Sequence, residues 1–326
     1  MRPFSYERAA DTAAAVKAGA ADGAMFLAGG TTLADLMRLE VLRPRALVDL
    51  GGLALTTIDD VDGGGLQIGA LVTNDAVAYD PRVVERYPVL HQAILAGASP
   101  QIRNMATTGG NVLQRTRCPY FRDPQVGQCN RRVPGSGCAA IGGVTRSHAI
   151  LGTSAHCIAT HPSDMAVALA ALDAVVHIIG ARGARTLPFG DLHLVPGNHP
   201  EIETALKPGD LITHVEIPGT RFAKRSHYVK VRDRASYAFA LASAAVALEV
   251  ADETIAEARI ALGGVATKPW RANKAEAVLV GKRPSRDLFV QAASAAVADA
   301  KPQEGNRFKV ELVQRTIIRA LDEVMA

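Results

Sequence analysis

All four cysteines of this 326-residue chain, Cys118, Cys129, Cys138 and Cys157, fall within 40 residues. They lie in a segment, 99–160, so rich in Gly, Pro, Arg and Thr that almost no stretch keeps a helix or strand period. A loop of this length inside a compact domain is usually functional. Any fold must therefore hold a long irregular segment between regular elements and account for four thiols together. Two disulfides, a zinc site and an iron–sulfur cluster compete. Disulfides suit small exported domains, whereas this chain can bury a large core and opens without the basic and then continuously apolar stretch of a secretory signal. Structural zinc draws on close Cys pairs, but here ten, eight and eighteen residues separate successive cysteines. A cubane is itself a bulky template and can take four thiolates from an open loop. Spacing alone leaves all three open.

The same region carries a charge anomaly. Residues 101–150 hold seven arginines (Arg103, Arg115, Arg117, Arg122, Arg131, Arg132 and Arg146) against one acid, Asp123. Something anionic, or an acidic partner surface, is expected there. The whole chain nets only +4 and is 5% aromatic, which argues against nucleic acid as the partner. Its apolar runs stop well short of the ~20 residues of a bilayer span, so no membrane segment is expected.

Outside the irregular segment the periodicities are clear. Asp11 caps an Ala-rich helix to about Ala20, and Met25–Ala28, a glycine turn, a helix over Leu33–Arg38 and a strand over Ala46–Leu50 make a small α/β unit. Gly63–Gly65 reads as a hairpin turn before the strand Leu66–Leu71, and a helix follows from Pro88 to Gly97. Ser163-Asp164 caps a helix over Met165–Asp173; Ala174–Ile179 and Leu211–Ile217 read as strands. Strands at 228–231, 242–250 and 258–262 and helices at 272–280, 286–300 and 309–325 form a last α+β unit. The expected class is α+β, with one domain over 1–220 (lobes 1–55 and 60–220, cysteine-rich insertion at about 113–158) and a second over 222–326 built on a three-stranded sheet.

Two glycine turns carry the binding signal. Ala28-Gly29-Gly30-Thr31-Thr32 offers free backbone N–H groups at a helix start, and its glycines let an anion approach without a Cβ in the way. The bland reading is a tight connection with Thr32 as cap and Asp35 completing a capping box. Gln101 to Asn111 repeats the pattern with hydroxyls, amides and the pair Gly109-Gly110. Two such turns favour a two-ended anionic ligand such as a dinucleotide. Neither is a G-x-G-x-x-G or a Walker A loop.

These two turns, with His161-Pro162-Ser163-Asp164-Met165-Ala166, Tyr228-Val229-Lys230-Val231-Arg232 and Ser236-Tyr237-Ala238, closely resemble the FAD-binding subunit of the molybdenum hydroxylases over essentially the full chain. The resemblance implies a two-lobed FAD-binding domain and a C-terminal domain of the carbon monoxide dehydrogenase flavoprotein type. It implies that FAD is bound by Phe26, Leu27, Ala28, Gly29, Gly30, Thr31, Thr32 and Leu33, by Ile102, Thr107, Thr108, Gly110 and Asn111, and by Ser163, Asp164, Leu211 and Lys230. Lys230 would anchor the ring from the second domain. The cysteine-rich insertion departs from most members and resembles the flavoprotein subunit of periplasmic aldehyde oxidoreductases. That likeness implies a 4Fe-4S cluster on Cys118, Cys129, Cys138 and Cys157, whose negative charge the arginines would offset.

The function so implied is electron transfer within a heterotrimer. A molybdopterin-binding large subunit oxidises an aldehyde, a 2Fe-2S small subunit relays the electrons, and this chain passes them through FAD to an external acceptor. No triad or paired carboxylates for substrate hydroxylation stand out in the sequence. A self-contained flavin oxidase or reductase, a flavin subunit like that of 4-hydroxybenzoyl-CoA reductase, and a non-catalytic iron–sulfur module remain as alternatives. With no export signal of its own, the chain is expected in the cytoplasm, or in the periplasm by co-export with a partner subunit.

Overall fold

Asp11 accepts the Ala14 N–H at 2.7 Å and starts the helix Thr12–Gly19, which covers a parallel three-stranded sheet. In the computed structural model, which describes residues 1–326, that sheet has Ala46–Asp49 between Ser5–Arg8 and Ala24–Leu27. Its core is small: Ala15, Val48, Leu50 and Leu53, with Leu71 and Leu211 reaching in from the next lobe. The first lobe therefore leans on the second for part of its burial.

The second lobe is an antiparallel five-stranded sheet in the order Ile58–Val61, Gly65–Gly69, Leu211–Ile217, Val175–Gly180, Gly183–Pro188. The hairpin joining the first two strands turns on Gly63 and Gly64, both near φ +80°, a conformation that disfavours side chains. Two six-residue helices, Asn74–Tyr79 and Pro81–Arg86, and the strand Gly183–Pro188 were not expected. The helices are too short to display a period and are set by the caps Thr73 and Asp80. The helix Pro88–Ala96 matches its expectation closely.

Every residue of the helix Asp164–Ala171 is buried. A helix apolar on all sides needs neighbours on all sides, and this one packs between the helices Pro88–Ala96 and Thr108–Val112 and the C-terminal sheet. Its core cluster includes Tyr228, Ala245, Ala247 and Ala261 from the latter. The C-terminal sheet has four strands rather than three: Ser226–Val231, Ala242–Ala251, Thr254–Gly263 and a two-residue edge, Trp270–Arg271, too short to alternate in sequence. Three helices, Asn273–Leu279, Arg286–Ala296 and Phe308–Met325, cover its other face. Val313, Ile317, Leu321 and Val324 give the last helix its buried stripe. No helix is long and apolar enough to cross a membrane.

The irregular segment contains only the short helices Pro100–Arg103, Thr108–Val112 and Pro119–Arg122. Backbone bonds tie it to the C-terminal unit instead. Ile150 and Leu151 donate to Val265 O at 2.8 and 3.0 Å, and Lys301 donates to Ile150 O at 2.7 Å. The Asn306 amide bonds the carbonyls of His148 and Ala149. Its backbone polar groups thus find partners without a helix or sheet ladder.

Candidate functional site

The two glycine turns press on one another. A Cβ on Gly29 would lie 1.8 Å from the carbonyl oxygen of Met105, so only glycine allows the first turn to rest on the second. Gly30, at φ +71°, then turns the chain into the helix Leu33–Arg38. On the other side, Thr107 accepts the Gly110 N–H at 3.2 Å and starts Thr108–Val112. A Cβ on Gly110 would meet nothing but the Thr107 hydroxyl. The capping box expected in the first turn is absent. Thr32 makes no cap bond, and Asp35 is drawn off to Arg117 and Arg122 at 3.5 and 2.7 Å, leaving the turn's N–H groups uncovered by side chains.

Two clefts open from these turns. One of about 680 Å³ runs over the first lobe, lined by Phe26, Ala28 to Leu33, Thr107, Gly110 and Leu211. The other, of about 540 Å³, lies toward the C-terminal sheet and is lined by Ile102, Asn111, Asp164 and Lys230. Thr31, Thr32 and Gly110 line both. Leu27 and Thr108 lie behind the clefts, and the Thr108 hydroxyl is spent on Val72 O at 3.1 Å. Ser163 lies outside both as well. It caps its helix at Ala166 N and donates to Asn111 Oδ1 at 2.5 Å, so it orients a lining residue.

The smaller cleft shows the chemistry of a polar ligand site. Three buried polar atoms on its lining residues have no partner: Asn74 Oδ1, Arg117 Nε and Arg122 Nη1. Orphans of this kind are costly unless a ligand or water completes them. Two guanidiniums share the one carboxylate of Asp35, so the edge is net positive, and burial together with Arg122 pushes Arg117 below its ordinary value. At the opposite wall Lys230 Nζ donates to Asp164 Oδ2 at 2.8 Å and to Ala96 O at 3.0 Å, and the Tyr228 hydroxyl donates to Asp164 Oδ1 at 2.7 Å. Burial and the Asp164 carboxylate push Tyr228 well above its ordinary value, which keeps it a donor. Lys230 therefore holds the wall through Asp164, joining the two domains.

The four cysteines are free thiols gathered in one region. Cys129 and Cys138 face each other in an isolated bridge. Burial pushes the Cys118 thiol up to about 12, with Cys129 and Cys157 adding to the effect, while the N–H groups of Phe121 and Tyr120 oppose it. Cys138 is raised by burial and by Cys157 against the N–H groups of Ile141, Ala140 and Ile158. Cys157 Sγ accepts from Arg131 Nε at 3.3 Å and Ala159 N at 3.5 Å, and Cys118 Sγ lies 3.2 Å from His148 Nε2. N–H donors thus reach Cys157 Sγ, while burial favours the neutral thiol at Cys118 and Cys138. No group of three His, Cys, Asp or Glu side chains is placed to hold a metal ion.

The arginine excess has a local explanation. Arg103 pairs with Asp75, Arg115 and Arg131 with Glu203, Arg117 and Arg122 with Asp35, and Arg146 with Asp233. Arg132 bonds the carbonyls of Tyr120, Phe121, Asp123 and Val126. Each of the seven thus has an acidic or carbonyl partner inside the fold, and of their buried nitrogens only Arg117 Nε and Arg122 Nη1 are left over for a ligand. Asn74, Arg117 and Arg122 are the lining residues that sequence reasoning missed. The arginine excess itself was the available signal, but their acid, Asp35, lies more than 80 positions away.

Comparison with known proteins gives the chain's relatives. Residues 2–220 match the family model described as the FAD binding domain in molybdopterin dehydrogenase, and residues 227–324 match the CO dehydrogenase flavoprotein C-terminal domain. The aldehyde oxidoreductase FAD-binding subunit PaoB of Escherichia coli is 50% identical over 100% of this chain and 99% of its own. The glyceraldehyde dehydrogenase medium chain of Sulfolobus acidocaldarius is 28% identical, covering 98% of each. Among solved structures, CO dehydrogenase from Oligotropha carboxidovorans superposes with a TM-score of 0.77 at 25% identity, over 99% of this chain and 98% of that one.

Proposed function

Since the chain belongs to the FAD-binding subunits of the molybdenum hydroxylases, we propose that it is the electron-transfer subunit of an aldehyde-oxidising complex, with FAD lying across both clefts. The larger cleft would hold the adenosine end, Thr31, Thr32 and Gly110 the pyrophosphate, and the smaller cleft the ring. Bound there, FAD supplies the exchange between one-electron carriers and a two-electron acceptor. The chain's own residues bind and orient. The uncovered N–H groups of the first turn, at Thr31 to Leu33, would neutralise phosphate oxygens, and Gly110 leaves room for their approach. Arg117, Arg122 and Asn74, with their unpartnered polar atoms, would hold the polar edge of the ring, where the positive pair would favour added negative charge. Lys230, Asp164 and Tyr228 fix the wall behind it. The observation that carries this reading is that both clefts meet on residues of the two glycine turns.

The reading extends to the thiols. Cys118, Cys129, Cys138 and Cys157 would hold a 4Fe-4S cluster. The placement of all four free thiols in one irregular segment, and the Arg131 and Ala159 N–H groups on Cys157 Sγ, support this reading. The partners on this reading are a molybdopterin-binding large subunit and a 2Fe-2S small subunit, in the cytoplasm or carried to the periplasm with them. The likeness to the Escherichia coli aldehyde oxidoreductase subunit supports an aldehyde as the substrate class.

The test is anaerobic purification of the complex with flavin and iron quantified. One flavin and about four irons per copy of this chain, and aldehyde-dependent bleaching of the flavin band, are expected. A complex free of flavin refutes the first part; zinc in place of iron refutes the second.

A further inference from the structure

Arg131 differs from the other six arginines of its segment: only it donates a hydrogen bond to a cysteine sulfur. Its side chain is 6% exposed. Nε points at Cys157 Sγ, at 3.3 Å, and Nη1 meets Glu203 Oε2 at 2.6 Å. Glu203 also holds Arg115, whose guanidinium lies over the Phe121 ring at 4.6 Å and lines the larger cleft. One carboxylate thus fixes two arginines, one turned to the thiols and one to the flavin lobe. Burial pushes the Glu203 carboxyl up, but Arg131 and Arg115 outweigh it and hold it ionised below the usual range. Net of Glu203, the pair of guanidiniums leaves one positive charge, and its nearest sulfur is that of Cys157.

We propose that Arg131, positioned by Glu203, raises the reduction potential of the iron–sulfur cluster through its Nε–H bond to Cys157. The inference rests on the cluster reading above. Reduction adds one electron, taking the net charge of the cluster with its four thiolates from about −2 to about −3 with no bond broken and no proton required. A fixed cation beside one ligand favours the more negative state, and burial leaves the interaction weakly screened. Arg131 is a positioning residue in the sense that it acts on a ligand rather than on a substrate. The same Glu203 would let changes at Arg115 in the flavin lobe be felt at Cys157.

The test is an EPR-monitored potentiometric titration of the whole complex, with dithionite as electron donor, for wild type, Arg131→Gln, Arg131→Lys and Arg146→Gln. Arg131→Gln is expected to shift the one-electron equilibrium toward the oxidised form at least tenfold, about 59 mV lower. Arg131→Lys, which keeps charge but loses the planar fork, should fall between. Arg146→Gln, whose partner Asp233 is on the exposed surface, should match wild type. An unchanged midpoint in an iron-replete Arg131→Gln complex overturns the proposal. Should that variant lose iron, Arg131→Lys decides: a lowered midpoint supports the proposal and an unchanged one overturns it. Wild-type protein lacking about four irons would sink the cluster reading itself, a different result from a cluster indifferent to Arg131.

Discussion

Replacing Gly110 by alanine separates ligand approach from fold stability. Gly110 sits inside the helix Thr108–Val112, where alanine is intrinsically better by roughly 0.5–1 kcal/mol. Its added Cβ would touch only Thr107 Oγ1, at 3.0 Å, which must yield by a few tenths of an ångström. The flavin-free protein should therefore unfold within about 1 kcal/mol of wild type. The same methyl group projects into the strip common to both clefts, where the pyrophosphate is placed. Overpacking a close contact costs typically about 1–3 kcal/mol, so FAD should bind about 5- to 140-fold more weakly at ~1.4 kcal/mol per tenfold. Gly29→Ala inverts the pattern. Its Cβ would fall 1.8 Å from a backbone oxygen, the two turns must part, and the flavin-free protein itself should lose stability. Urea unfolding of deflavo protein and calorimetric titration with FAD measure the two quantities. A Gly110→Ala protein that binds FAD as tightly as wild type would refute the pyrophosphate placement, and a Gly29→Ala protein of wild-type stability would refute the contact between the turns.

Two further outcomes follow from buried charge. Asp164→Asn leaves the Lys230 ammonium, 4% exposed, with no anionic partner, and should cost about 3–5 kcal/mol in urea unfolding. Adding Lys230→Met should recover much of that loss, and no recovery would mean the pair is not what joins the domains. Burial lowers the His193 pKa from 6.5 to about 4, so the unfolded chain binds more protons between those values. Stability should accordingly rise with pH from about 4 to 6.5. His193→Gln should make that rise shallower in thermal unfolding, the remainder coming from His148, His161 and His214, which burial lowers likewise; an unaltered slope would refute a share for His193.

Much of the regular structure was legible in order along the chain. The helix over Leu33–Arg38, the strand over Leu211–Ile217 and the Ser163 cap are written in local patterns of capping residues and apolar period, which act over a few positions. Short elements escaped for the same reason: Asn74–Tyr79 and Trp270–Arg271 hold too few residues to show a period. The glycine turns could be recognised because a missing Cβ is a local fact, and the cysteine cluster because four identical side chains stand within one segment.

What lay beyond sequence was every partnership made across the fold. That Gly29 rests on Met105, that Asp35 abandons its capping box for Arg117 and Arg122, that Lys230 faces Asp164 rather than open cleft, and that Arg131 reaches Cys157 through a hold on Glu203 are decided by packing between distant stretches. Local propensity selects elements because it is summed over neighbours in the chain. Charge pairing and ligand geometry depend on separations in space, which the chain acquires only when its sheets and the buried helix Asp164–Ala171 lock together.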